Sequence, residues 1–200
     1  MHGFDGDTAL LAQYIAAFEK LDTMETDALG VHPLLRASAE AVGGERLRFL
    51  RIATAPSALE ALYEGLSLPG LGSTQFPRLY EGLVLSYRWS RVDLGDYILL
   101  GNELAEDLSP LLAEMRADEN LFTTLLPNGY VQFGRGADGS CDPVCFDFRG
   151  RQRNGDCRVV RLDHEAVLCH GRIREVGELA PSYRSLVLAT IERAGRSGPS

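Results

Sequence analysis

Near Pro127 the hydrophobic pattern of this chain changes period. Before it, apolar residues recur every three or four positions, the spacing of one helix face. After it they alternate and are rich in β-branched and aromatic types, the spacing of half-buried strands. Helical pattern first, then strands joined by short loops, then a closing helical stretch is the order of an α+β chain, in which helices are segregated onto an antiparallel sheet. The expected fold is therefore α+β: an antiparallel meander of about four to six strands covered by helices, with an N-terminal helical extension.

In the helical part, Asp7 or Thr8 caps a segment whose Leu11, Tyr14, Ile15, Phe18 and Leu21 form one apolar stripe. Further helices are expected from Pro33 to Val42 and from Glu45 to Thr54, separated by Gly43-Gly44. Ser57 with Glu60 forms a capping box ahead of Leu59, Leu62 and Tyr63. Ser67 to Gly72 is a breaker cluster, and Pro77 suits the first position of a helix carrying Tyr80, Leu83, Val84 and Tyr87, closed by Trp89. Gly95 turns the chain into a strand over Tyr97 to Leu100, and Ser109-Pro110 opens a helix through Ala117 with Leu111, Leu112 and Met115 inward.

The strands expected after Pro127 are Tyr130 to Phe133, Val144 to Phe148, Arg158 to Leu162 and Ala166 to His170. Pro181 and Ser182 then start a helix with Tyr183, Leu186, Val187, Thr190 and Ile191 on its inner face. The domain reading is an N-terminal helical extension over 1–55 packed on a main domain over 56–194, with 195–200 a flexible tail.

The 28 Asp and Glu residues against 20 Lys and Arg give a net charge of −8, and Lys20 is the single lysine. Nucleic acid is excluded as a direct partner on this reading, because its affinity comes largely from clustered cations that neutralise phosphates. Arg149, Arg151, Arg153 and Arg158 around a Gly-rich turn form a local patch only. A basic protein surface suits the charge, since complementary potentials speed and orient association. No apolar run reaches the roughly 18 residues that span a bilayer, and the acidic start Met1 to Asp7 lacks a cationic leader. No membrane partner and a cytoplasmic location follow as expectations, with the four cysteines as reduced thiols.

Cys141, Cys145, Cys157, Cys169, His164 and His170 lie close in sequence, yet only Cys141 and Cys145 have ligand-like spacing. Core packing explains a strand cysteine as well as zinc does. A cysteine nucleophile with His164 or His170, assisted by Asp142, Asp147 or Asp163, has the residue types but no local signature. Gly134 to Gly139 lacks the Lys-Ser/Thr of a phosphate loop and precedes a strand, so it reads as a hairpin connection. No cofactor, metal or catalytic group is assigned.

The segments Leu126 to Gly134, Gly139 to Asp147, Val159 to Glu165, the connector Ile173 to Leu179 and Ala180 to Leu186 resemble, in order and spacing, the SUKH superfamily. That group comprises bacterial toxin-immunity proteins and fungal cell-wall-assembly regulators. Leu68-Pro69, the helix around Phe76 to Tyr87 and the strand near Tyr97 fit the same order, so about two thirds of the chain is covered. Ser86 to Ser90 stands where the family often has an Asn-Gly-Gly turn, and the residues before 56 lie outside the pattern. The resemblance implies a non-enzymatic binder that neutralises a cognate toxin, of nuclease or deaminase type, by covering it. A scaffold of the same fold with looser partners is the alternative, and a thiol- or metal-dependent enzyme the third reading. The candidate contact residues are Asp138, Asp142, Asp147, Asp163 and Glu165 of the sheet loops, with Trp89 and Tyr130 as anchors. Loop and turn structure for the carboxylates, and a helix-end core position for Trp89, are the competing readings. The oligomeric state is left open.

Overall fold

The computed structural model describes residues 4–21, 49–66, 75–103, 105–150 and 155–196. The helix expected from Pro33 to Val42, the breaker cluster from Ser67 to Gly72 and most of the polar turn after Gly150 lie outside them. Among the described residues the helices are α1 (Phe4–Leu21), α2 (Ser57–Leu66), α3 (Arg78–Ser86), α4 (Ser109–Met115), α5 (Glu119–Leu125), α6 (His164–His170) and α7 (Tyr183–Arg196). The strands are β1 (Phe49–Arg51), β2 (Tyr87–Trp89), β3 (Val92–Asp93), β4 (Tyr97–Leu99), β5 (Tyr130–Gly136), β6 (Pro143–Asp147), β7 (Arg158–Leu162) and β8 (Glu175–Ala180).

Strands β3 to β8 form one sheet in sequence order, every neighbouring pair antiparallel, so the meander is uninterrupted. The loop between β5 and β6 is a hairpin, as expected of Gly134 to Gly139, although β5 runs on to Gly136. The main core fills one face of the sheet. Val131, Phe133, Val144, Phe146 and Val159 pack there with Tyr14 and Phe18 of α1, Tyr80 and Leu83 of α3, and Tyr183 and Val187 of α7. Phe133 stacks on Phe146 at 4.1 Å, and Tyr183 meets both rings edge-on. A smaller cluster on the other face joins Tyr130, Cys145, Val160 and Leu162 to Leu121 and Leu125 of α5 and Val167 of α6. The stripe of α1 read from the sequence is thus part of the main core, and Tyr14 reaches it with a polar tip, its hydroxyl 2.5 Å from that of Tyr97.

Four local expectations are corrected. Within the helix expected from Glu45 to Thr54, Phe49–Arg51 is a strand paired with Tyr87–Trp89, and Thr54 continues the contact by donating to Leu85 O. Pairing with β2 overrides local helix propensity here. For the same reason α3 ends at Ser86, and Tyr87 and Trp89 belong to a strand rather than to its face. Residues 166–170, expected as a strand, are helical: Asp163 Oδ1 accepts from Ala166 N and Gly171, at φ 57°, closes the helix in the left-handed conformation. The last strand of the sheet is instead β8, where a connector was expected. Its first four residues are exposed, so no apolar alternation marked it. Helix α5, not anticipated, is capped by Asp118, whose carboxylate accepts from Leu121 N.

Candidate functional site

The sheet carries two clusters of charged side chains, one built by cross-strand register and the other by the β5–β6 loop folding over Arg161 of β7. Asp147 ends β6 and Arg158 begins β7; they are direct partners, so their side chains share a face. Asp147, almost fully enclosed, takes Arg149 Nε at 3.0 Å on Oδ1 and Nη2 at 3.0 Å on Oδ2, the forked geometry that suits guanidinium to carboxylate. Arg158 Nη2 adds a third bond at 2.7 Å. Glu175 of β8 closes the cluster, its Oε1 accepting from Arg149 at 2.9 Å, Arg158 at 2.8 Å and the Tyr130 hydroxyl at 3.2 Å. The Arg149 guanidinium lies 4.4 Å from the centre of the Tyr130 ring.

The second cluster docks the β5–β6 hairpin onto the start of α6. Asp142 Oδ2 accepts from Arg161 Nε at 2.9 Å, and its Oδ1 accepts from the His164 amide at 3.1 Å and lies 3.0 Å from His164 Nδ1. Arg161 Nη2 also donates to Asp138 Oδ2 at 2.6 Å and Ser140 Oγ at 2.7 Å. At the hairpin tip Gly139 (φ 80°) and Cys141 (φ 60°) both adopt left-handed backbone.

These contacts fix the protonation states. Burial alone raises the Asp147 carboxyl, but the bonds from Arg149 and Arg158 outweigh it and hold it at about 2. Burial raises Asp142 as well, and the His164 and Arg161 bonds bring it below its ordinary value. Glu175 follows the same balance, lowered by Arg158 above all. The Arg161 bond holds exposed Asp138 at about 2. Burial pushes Tyr130 up to about 12 against the opposing charge of Arg149. All four carboxylates are ionised at neutral pH, and each is matched to an arginine.

Of the candidate residues read from the sequence, Asp138 and Asp142 meet in one cluster and Asp147 and Tyr130 in the other. Asp163 caps α6 and pairs with Arg174 at 3.2 Å, and Glu165 stands exposed on the first turn. Trp89 and Tyr130 are both enclosed, so their rings serve the core. The Trp89 indole N–H donates to Leu100 O at 2.8 Å, and the ring is enclosed in the core from strand β2 rather than from a helix end. Sequence reasoning missed Glu175, Arg161 and the role of Arg149 and Arg158. The available signal was the register of the β6–β7 hairpin, which sets Asp147 opposite Arg158 and Val144 opposite Arg161. Cys145 and Cys157 are buried, Cys141 and Cys169 exposed. Cys169, expected in a strand, is on α6. Among the described residues no group of three or more His, Cys, Asp or Glu side chains is arranged to hold a metal, and no helix is long and apolar enough to cross a membrane.

No family model, no curated protein and no solved structure matches this chain.

Proposed function

We propose that this chain is a protein-binding domain of the immunity type, which neutralises a cognate bacterial toxin of nuclease or deaminase class by covering it in the cytoplasm. The observation that carries the reading is the state of the sheet carboxylates. Asp142, Asp147 and Glu175 are ionised, held by arginines and fixed in place, a condition that suits a rigid recognition surface and opposes proton transfer. Around them Asp138, Glu165 and Glu178 present carboxylates to solvent, and the whole chain carries −8, the sign that steers a basic partner. The order of segments from Leu126 onward, which resembles that of the SUKH superfamily, supports the same reading by analogy.

The deciding experiment is co-expression with whatever toxin domain is encoded beside this gene, scored by host survival and co-purification. Rescue with a complex whose association rate falls steeply as salt rises is the expected result. A folded protein that neither rescues nor binds overturns the proposal.

A further inference from the structure

The six-stranded sheet has two edges, and they are built differently. β3 is two residues long, and α1 packs against it. β8 is six residues long, and among the described residues no strand pairs with its outer side. Val176, in its first half, is half exposed, and a side chain added at Gly177 would meet nothing. An open edge of that length is a template for another extended chain.

The pairing with β7 decides which groups this edge offers. Asp163 N donates to Arg174 O at 2.9 Å. That bond flanks the Leu162–Glu175 pair, which is therefore of the non-hydrogen-bonded kind, and the N–H and C=O of Glu175 point away from β7. Gly177 next faces Arg161 and Glu178 faces Val160, so Val176 is the extra residue of a bulge. Glu175 and Glu178 thus lie opposite residues two apart on β7. By the alternation of the ladder both turn their backbone outward, at the spacing of alternate residues in a regular strand. Their carboxylates share a face, since both reach Arg158, Glu175 at 2.8 Å and Glu178 at 3.6 Å. The bonds to Glu175 from Tyr130, Arg149 and Arg158 all fall on Oε1, which leaves Oε2 to accept.

We propose that β8 is the docking edge for an extended segment of a partner protein that carries Lys or Arg at two alternate positions. That segment pairs with the outward backbone of Glu175 and Glu178 and sets a cation against each carboxylate. Such docking rests on the protein-binding role proposed above, and it adds the surface used and the chemistry of the segment received. A second copy of the chain fits badly. Pairing β8 with itself through its outward groups puts Glu opposite Glu, and like charges directly opposed destabilise a ladder. A basic strand meets opposite charge at both positions, so the two residues that bar self-pairing also select the partner. Val176 between them keeps half its surface for an apolar contact.

The test needs no toxin. The full chain, labelled for nuclear magnetic resonance, is titrated with a short capped peptide of alternating valine and arginine, and in parallel with its glutamate counterpart. In the free chain the Glu175 and Glu178 amides should exchange rapidly with solvent while those inside β6 and β7 stay protected. The arginine peptide should give saturable shifts centred on β8 and slow exchange at those two amides severalfold. Its affinity should fall severalfold in Glu178→Lys and again as salt rises, and the glutamate peptide should shift nothing. Protection of both amides in the free chain overturns the proposal, because the edge is then already occupied. So do equal shifts from the two peptides, a footprint away from β8, or no saturable shift with the arginine peptide. The wild-type titrations decide the matter even where the variant fails to fold. Each of these failures leaves toxin rescue possible through another surface, and a failed rescue leaves the peptide result standing, so the two proposals fall separately.

Discussion

Asp147 and Arg158 are register partners across β6 and β7, and Arg158 Nη2 lies 2.7 Å from Asp147 Oδ2. Asp147 is enclosed, whereas Arg149 and Arg158 keep half and a third of their side-chain surface in solvent. Removing the carboxylate therefore strips three charge-assisted bonds from guanidiniums that can turn to water. Asp147→Asn is expected to cost about 1–3 kcal/mol, less than the loss of a partner from a fully buried pair. Glu178→Gln, at the rim and 3.6 Å from Arg158, should change stability by less than about 0.5 kcal/mol. Urea unfolding of the two variants beside the wild type checks the contrast, and equal midpoints for all three would refute it.

The same pairs set the acid limit of the fold. Asp138 and Asp147 are held at about 2, and Asp142 and Glu175 also lie below their ordinary values. Carboxylates in the unfolded chain titrate near about 4. Depressed folded-state values mean that the unfolded chain binds more protons in this range. The stabilisation is present in full above about pH 5 and drains away as pH falls from about 4 towards 2. Urea midpoints measured across that window should fall with acid, and Asp147→Asn should show a shallower fall than the wild type. A midpoint independent of pH between 5 and 2 would contradict the assigned pairs.

How far these features were legible in the sequence depended on the range over which they are decided. Apart from Tyr87, which was counted on the face of α3 and lies in β2, the inward residues read for α1, α3, α4 and α7 followed from spacing, because a helix face is written within one turn. Strands β5, β6 and β7 followed from alternation. Strand β8 did not, since an edge strand with exposed side chains carries no apolar period. Helix α6 was misread although Asp163 and Gly171 frame it with ordinary cap chemistry, because Ala166 to Cys169 is a short continuous apolar run, which periodicity cannot tell from a buried strand. At the site, Asp142 and Asp147 were singled out for acidity alone. Their partners Arg161 and Arg158 are 19 and 11 residues away and become neighbours only when the hairpin register is known.

Trp89 reports on the core. It is the one tryptophan of the chain, is fully enclosed, and donates its indole N–H to Leu100 O. Its fluorescence in the folded state should be blue-shifted and poorly quenched by acrylamide, moving red only on global unfolding. Trp89→Phe removes ring volume and leaves Leu100 O without that donor, a loss expected to cost about 2–4 kcal/mol. If acrylamide quenched Trp89 strongly in the folded chain, the core assignment of this ring would be wrong.

The cysteines divide by burial in a way that a thiol reagent reads directly. Cys141 sits exposed at the β5–β6 hairpin tip and Cys169 exposed on α6, while Cys145 and Cys157 are enclosed. Burial also pushes the Cys145 thiol up, with the Asp147 charge adding to it, so the reactive thiolate is suppressed there twice over. Under native conditions Ellman's reagent should titrate two thiols per chain, with the other two appearing only in denaturant. Cys145→Ser should leave the native count at two, whereas Cys141→Ser should reduce it to one. A native count of four would mean that the sheet opens readily around Cys145. That outcome would contradict the packing of Val160, Leu162, Leu121 and Leu125 that encloses the thiol.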